Sequence, residues 1–254
     1  MHILLIGYGK MGKAIAPIAE SRGHKVTIAD RPFFAALSAA DFAGFDVAIE
    51  FTRPDSAFEN VKQCMLNHLP VVCGTTGWNE KIEEAERICL DSGSAMLQSS
   101  NFSLGVNLFF FINRAIAHLM NKFPAYEPEV WEAHHLEKKD APSGTAITTA
   151  QLILKELDAK ESWMLAGQDD NSRLSESNDG DSVLPIIAER IAGVPGTHTV
   201  SYKSAEDTIA FTHTAHSRSG FATGAVLAAE FLAGKKGVFS MNDVLGLAVF
   251  KGFR

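Results

Sequence analysis

Cysteine is scarce: Cys64, Cys73 and Cys89 are the only three in 254 residues. They form no CxxC pair and their number is odd, so neither a disulfide framework nor a thiolate zinc site is suggested. They read as reduced structural residues. A basic surface is also lacking. The formal net charge is -7 and no Lys/Arg cluster stands against it, which argues against nucleic acid as a partner. Long apolar runs are missing as well. The opening Met1-His2-Ile3-Leu4-Leu5-Ile6-Gly7 is too short for a signal peptide and breaks at glycine, and no later stretch approaches membrane-spanning length. A cytosolic protein that meets no membrane is expected. There is no internal repeat and no low-complexity tract. What is present, 46% hydrophobic and 21% charged residues, suits a globular chain able to bury a full core and to form two domains.

The order of elements follows from periodicity and turn chemistry. Residues 2–6 form a short apolar run that enters a glycine-rich turn, and a helical pattern over 13–21 follows at once. Further strands are predicted over 25–29, 45–51, 70–73 and 95–98, with helices over 55–67 and 79–92. Alternation of this length implies a parallel sheet with right-handed crossovers. In such sheets ligands gather beyond the carboxyl ends of the strands, where Gly7, Asp30, Thr52, Thr75 and Asn101 fall. After Ser103 the texture changes. A helix over 104–122, a strand over 129–135 and a helix over 144–157 open a second domain. The polar stretch 167–182 reads as a long excursion. Strands over 185–192, 197–203 and 208–216 then extend an open sheet, and helices over 225–233 and 241–249 return to the first domain. The expected fold is α/β: a discontinuous Rossmann-like parallel-sheet domain of residues 1–103 and 218–254, and an α+β substrate-binding and oligomerisation domain of residues 104–217 with an open mixed sheet.

Gly7-Tyr8-Gly9-Lys10-Met11-Gly12 is GxGxxG after a buried strand and at the head of a helix, the context in which the pattern signifies dinucleotide binding. The first glycine permits the tight turn, the second lets backbone approach the pyrophosphate, and the third lets helix and strand pack. The helix start supplies amides and a positive dipole. Asp30, at the end of the second strand, sits where adenosine ribose hydroxyls fall, the lesser alternative being that it simply begins a turn before Pro32. Arg31 beside it can stack on adenine or pair with a 2'-phosphate, so the doublet suits NADH and NADPH alike.

Residues 132–146, Glu-Ala-His-His-Leu-Glu-Lys-Lys-Asp-Ala-Pro-Ser-Gly-Thr-Ala, are the most informative stretch. Adjacent histidines on a strand face opposite sides, so His134 and His135 can serve one site only if the strand ends there and the chain curls. Asp140-Ala141-Pro142 ends it. Ser143-Gly144-Thr145 then opens a helix whose hydroxyls and first-turn amides favour a carboxylate, and Lys138 with one histidine can face that anion.

The run HHxxKxDAPSGTA, here His134 through Ala146, resembles the signature of the dihydrodipicolinate reductase family, also called 4-hydroxy-tetrahydrodipicolinate reductases. Agreement extends in family order through Gly7–Gly12, Glu50-Phe51-Thr52-Arg53-Pro54, Gly74-Thr75-Thr76-Gly77, Ser100-Asn101-Phe102-Ser103-Leu104-Gly105-Val106-Asn107, and His216-Ser217-Arg218 before Phe221-Ala222-Thr223-Gly224-Ala225. Residues 158–185 match no motif of the family, and Ser99-Ser100 stand where alanines are common. The resemblance implies reduction, by NADH or NADPH, of (2S,4S)-4-hydroxy-2,3,4,5-tetrahydrodipicolinate to tetrahydrodipicolinate and water, in diaminopimelate and lysine biosynthesis. It implies His134 as acid/base and Lys138 as proton-donating cation. His135, Ser143, Gly144, Thr145 and Thr76 would bind the cyclic dicarboxylate. Gly7, Tyr8, Gly9, Lys10, Met11 and Gly12 would hold the pyrophosphate, and Asp30 with Arg31 the adenosine end. Phe51, Gly74, Thr75, Thr76, Ser99, Ser100, Asn101, Phe102 and Arg218 would complete the coenzyme site. It also implies a homotetramer. The chemistry agrees with these residue types, because hydride addition to an imine-conjugated carbon leaves enamine density that a group titrating near neutrality must protonate.

Three other readings compete. Another small Rossmann dehydrogenase, for amino acids or sugars, shares the glycine motif but has no need of the dicarboxylate cradle. A non-catalytic redox sensor would bind dinucleotide without turnover. A histidine-metal enzyme would need more than His213 and His216, which lie three apart on a predicted strand with no acidic cluster to complete a ligand set, and no metal is expected.

Overall fold

In this computed structural model, which describes residues 1–166, 182–217 and 219–247, the N-terminal apolar run forms β1 (His2–Ile6) and the glycine turn delivers the chain into α1 (Lys10–Ser21). There follow β2 (Lys25–Ala29), two short helices α2 (Arg31–Ala36) and α3 (Ala39–Phe42), β3 (Val47–Glu50), α4 (Pro54–Leu66), β4 (Val71–Cys73), α5 (Ile82–Ser92) and β5 (Ala95–Gln98). The two short helices stand where no element is predicted. Pro32 near the head of α2 and the Ser38/Asp41 capping box of α3 start them, but each is too short to show a helical period.

The chain divides into two compact units, one of Met1–Asn107 completed from Ser219 onward, the other beginning at Leu108. The division falls inside α6 (Leu104–Met120), rather than at its head as the sequence suggests. Asn107 explains the offset, because its side-chain amide donates to Asn101 O at 2.9 Å and Ser103 O at 2.8 Å.

The second unit continues with β6 (Glu127–His134), α7 (Gly144–Leu154), β7 (Ser162–Ala166), β8 (Val183–Arg190), β9 (Thr197–Lys203) and β10 (Thr208–Thr214). Its sheet runs β10-β9-β6-β8-β7. β6, β8 and β7 are mutually parallel and β9 and β10 antiparallel, so the sheet is mixed. Strand β7 is a further element the sequence reading lacks. Phe109 and Ala117 of α6, Ala146, Ala150 and Ile153 of α7, and Val130, Ile186, Val200 and Tyr202 of the strands form one core. The polar stretch 167–182 lies, but for its last residue, outside the described residues.

Returning to the first unit, the chain forms α8 (Ser219–Leu232), β11 (Gly237–Phe239) and α9 (Met241–Val244). The six strands run β11-β5-β4-β3-β1-β2, all parallel. Period-two alternation explains why central strands are apolar throughout. Ile3, Leu5, Val47, Ile49, Val72 and Leu97 pack with α1 and α8, while Leu4, Ile6, Ala48, Val71 and Met96 pack with α4 and α5 on the other face. Each Val, Leu, Ile or Met side chain among them contributes roughly 1.5–3 kcal/mol by burial. Cys64, Cys73 and Cys89 are buried free thiols within the second of these cores. Of the helix expected over 241–249, α9 is the described part, ending at Val244, and Gly246 adopts φ +66 just beyond it.

Candidate functional site

In the first unit the loops after β1, β2 and β3 enclose a cavity of about 620 Å³ lined by Gly7, Tyr8, Gly9, Asp30, Arg31, Phe51 and Thr52 among others. A neighbouring hollow of about 330 Å³ brings Gly9, Lys10, Met11, Phe51, Gly74, Thr75 and Thr76 together. The three motif glycines divide their tasks. Gly7 has φ +94, and a Cβ there would lie 2.2 Å from Phe51 O; a Cβ on Gly12 would lie 2.2 Å from Gly7 O. Both positions are closed to side chains by the packing of β1 on β3 and of α1 on the turn. A Cβ on Gly9 would meet nothing within 4 Å, so its backbone faces open space at the head of α1. An anionic dinucleotide fits this arrangement, because first-turn amides lack intrahelical acceptors.

Asp30 caps α2, its carboxylate accepting from Phe33 N at 3.0 Å. The turn-forming role is thus seen directly, and the same residue also lines the larger cavity. Below the loops lies a residue the sequence reading quoted without a role. Glu50, fully buried at the end of β3, accepts from Thr52 Oγ1, from Asn60 Nδ2 at 3.3 Å and from Cys73 Sγ at 3.1 Å. The Thr52 amide in turn donates to Thr75 Oγ1 at 2.7 Å, and Trp78 Nε1 donates to Thr75 O at 2.7 Å. The hollow's wall is thus braced from beneath. After β5, Ser99 Oγ donates to Asn101 O at 2.8 Å and the Ser103 amide to Asn101 Oδ1 at 2.9 Å. Phe102 is buried with its ring 5.7 Å from that of Phe51. Its side chain belongs to the core. Arg218 lies outside the described residues.

In the second unit β6 ends at His134, and His135 begins the turn that follows, its carbonyl accepting from Lys138 N at 3.1 Å. His134 is buried; its Nε2 lies 3.3 Å from His198 Nε2 and 3.3 Å from Glu132 Oε2. His198 Nε2 is also 3.4 Å from Glu132 Oε2 and 3.2 Å from Ser143 Oγ. Ser143 caps α7 by accepting from Ala146 N at 3.1 Å, and its own amide donates to Glu132 Oε1 at 2.9 Å. Gly144 and Thr145 are the first residues of that helix. Burial acts to raise the Glu132 carboxyl pKa, but hydrogen bonds from His134, His198 and Ser143 outweigh it and hold the group well below the usual carboxylate range.

Lys138 Nζ lies 2.7 and 2.8 Å from the Asp140 carboxylate oxygens, and this contact holds Asp140 below its ordinary range. Arg190, the last residue of β8, fastens the loop: its Nε donates to Lys138 O at 3.1 Å and its Nη2 to Asp140 O. Glu132, His198 and Arg190 escaped the sequence reading. Glu132 carried a signal, since the spacing Glu-x-His on a strand puts both side chains on one face. His198 carried none, because only strand pairing makes it the partner of Glu132 across β6 and β9. Among the described residues, Glu132, His134 and His198 also form the group whose ligand atoms, all within 4.8 Å of one another, could share a metal ion. His213 ends half-buried on β10, whereas His216 lies beyond the strand.

Comparison with known proteins covers both units. Residues 1–102 match the family model described as dihydrodipicolinate reductase, N-terminus, and residues 105–245 the one described as dihydrodipicolinate reductase, C-terminus. The 4-hydroxy-tetrahydrodipicolinate reductase of Christiangramia forsetii is 45% identical over 245 residues, covering 96% of this chain and 98% of the relative. That of Methanoregula boonei is 38% identical, covering 80% and 75%. Among solved structures, a dipicolinate-bound dihydrodipicolinate reductase from Paenisporosarcina sp. TG-14 superposes with TM-score 0.75 at 21% identity, over 94% of this chain and 97% of that one. An amine dehydrogenase from Mycobacterium smegmatis shares the fold at TM-score 0.59 and 10% identity, over 95% of each chain. Its likeness extends to the fold alone.

Proposed function

This chain belongs to the dihydrodipicolinate reductase family, oxidoreductases that act on 4-hydroxy-tetrahydrodipicolinate in the route to diaminopimelate and lysine, and we propose the following division of labour for that reaction. The first unit is the dinucleotide-binding domain and takes NADH or NADPH. Gly7 through Gly12 receive the pyrophosphate, Asp30 and Arg31 the adenosine end, and Phe51, Gly74, Thr75, Thr76 and the loop of Ser99 to Phe102 the nicotinamide end, and Arg218 completes the coenzyme-binding set. The second unit is the substrate-binding and oligomerisation domain of a homotetramer. Ser143, Gly144, Thr145 and His135, with Thr76, receive the carboxylates of the cyclic substrate.

Bound coenzyme supplies the hydride. What the protein supplies is a fixed anion cradle and a proton. The first-turn amides of α7 and the Lys138 ammonium neutralise carboxylates whose solvation has been lost. The substrate's 4-hydroxyl departs as water, His134 delivers a proton to the electron density that hydride addition leaves behind, and Lys138, relieved of Asp140 by the incoming carboxylate, stands beside it as the proton-donating cation. The observation that carries this reading is the shared contact of Ser143 Oγ and His134 Nε2 with His198 Nε2, at 3.2 and 3.3 Å, which makes acid/base and cradle one cluster. Purified protein mixed with NADH or NADPH and freshly generated hydroxy-tetrahydrodipicolinate should oxidise coenzyme only when substrate is present. Absence of substrate-dependent loss of nicotinamide absorbance would overturn the assignment.

A further inference from the structure

The second unit buries a carboxylate that no step above uses. Glu132 is fully buried on the face of β6 that carries His134 two residues further on, and across the antiparallel ladder it is the direct partner of His198. One oxygen, Oε1, accepts the Ser143 amide at 2.9 Å and lies 3.9 Å from Arg190 Nη1. The other, Oε2, meets the two imidazole nitrogens at 3.3 and 3.4 Å and has no other hydrogen-bond partner among the described residues. A buried carboxylate oxygen without a donor is strongly disfavoured, so at least one of the imidazoles must turn an N–H group toward it. That requirement selects their ring orientation and the nitrogen that carries the proton.

We propose that Glu132, together with His198, is a positioning residue of the reaction, holding the His134 imidazole in one orientation and tautomer and tying it to the Ser143 start of α7. This rests on the reading of His134 as the acid/base group. The two rings stand edge to face, with centroids 5.0 Å apart and planes at 71°, so that Nε2 meets Nε2. The carboxylate, 3.3 and 3.4 Å from the two Nε2 atoms, keeps the pair from turning away. Neighbouring strands close the arrangement. Arg190 flanks it from β8, and His213, whose pKa is lowered first by burial and then by the charges of His198 and His216, flanks it from β10. Gly196 on the approach to β9 leaves space for the ring, since a Cβ there would lie 3.0 Å from His134 Cε1.

The role of Glu132 is separable from plain packing because glutamine has the same shape. Glu132→Gln keeps an oxygen for the Ser143 amide but sets an uncharged NH2 group against the imidazoles. The expected result is a fall in kcat of about tenfold to a hundredfold, with KM and the inhibition constant of pyridine-2,6-dicarboxylate changed less than about threefold, since the cradle amide keeps its acceptor. The solvent deuterium isotope effect on kcat should rise as proton delivery becomes slower than hydride transfer. Glu132→Asp should recover part of kcat. His198→Gln, which leaves the Glu132–Ser143 bond intact, should repeat the pattern and serves if Glu132→Gln fails to fold. Wild-type kcat and isotope effect in either folded variant, beside an inactive His134→Gln, overturn the positioning role. An active His134→Gln instead overturns the acid/base reading beneath it. Stoichiometric divalent metal in the purified enzyme, with kcat lost on chelation and restored by the ion, would replace the proton network by a metal site and overturn the proposal as well.

Discussion

The Asp30 carboxylate accepts the Phe33 amide at 3.0 Å, so the residue we propose for the ribose of the coenzyme is also the N-cap of α2. Substitution by alanine therefore removes two things at once: a cap worth about 1 kcal/mol and a charge at the adenosine end. Asparagine separates them, because its side-chain oxygen still caps.

Asp30→Asn should shift preference toward NADPH with little change in melting temperature, since the anion that would oppose a 2'-phosphate is gone. Arg31→Ala should raise KM for NADPH several-fold more than for NADH, a charge-assisted contact contributing roughly 1.5–3 kcal/mol. Coenzyme titrations at saturating substrate decide both. Unchanged ratios in the two variants would place the adenosine end elsewhere.

Replacing His134 by glutamine should lower kcat by about a hundredfold to ten-thousandfold while leaving NADH affinity near the wild-type value. Stopped-flow turnover paired with coenzyme fluorescence titration separates the two quantities. Normal turnover would remove His134 from the chemistry.

Gly196 offers a gentler perturbation. An added Cβ would lie 3.0 Å from His134 Cε1 and 3.2 Å from Nδ1, closer than ordinary contact allows, so the ring must shift by a few tenths of an ångström. Gly196→Ala should therefore reduce kcat several-fold without altering coenzyme binding in the other unit, as misplacement of a reacting group is costly. Equal kcat in variant and parent would mean that the ring has room to spare.

Stability should carry a pH signature at Glu230. Its carboxylate, on α8, meets Arg22 through two contacts of 2.7 Å and His24 at 2.7 Å, joining the returning helix to the α1–β2 corner. The Arg22 hydrogen bonds, opposed by burial and aided by His24, hold the group below the usual carboxylate range. A carboxyl lowered in the folded state stabilises above its unfolded pKa of about 4.3, and that contribution disappears as pH falls through the folded value. Glu230→Gln should thus cost about 0.5–1 kcal/mol at pH 7, a surface ion pair being partly screened, and progressively less below about pH 4. Urea midpoints of the two proteins across this range provide the measurement. A gap that widens on acidification would reverse the sign of the argument.

Local pattern determined much of the protein. Alternating apolar runs and helical periods give the first five strands and the mixed second unit, because burial on both faces of a parallel sheet leaves an unbroken apolar signature. The glycine turn was legible for a similar reason, since Gly7 and Gly12 answer to contacts with backbone only a few residues or one strand away. Tertiary structure decided the rest. Nothing local marks Gly237–Phe239 as the sixth strand, beside β5, or Ser162–Ala166 as an edge strand of the second sheet, because three to five residues of mixed burial carry no period to read. Glu132 could be placed on the face of His134 by counting along β6, but His198 stands 64 residues from His134 in the chain. It enters the cluster only through the register of β6 against β9, a long-range pairing that no short stretch of sequence encodes.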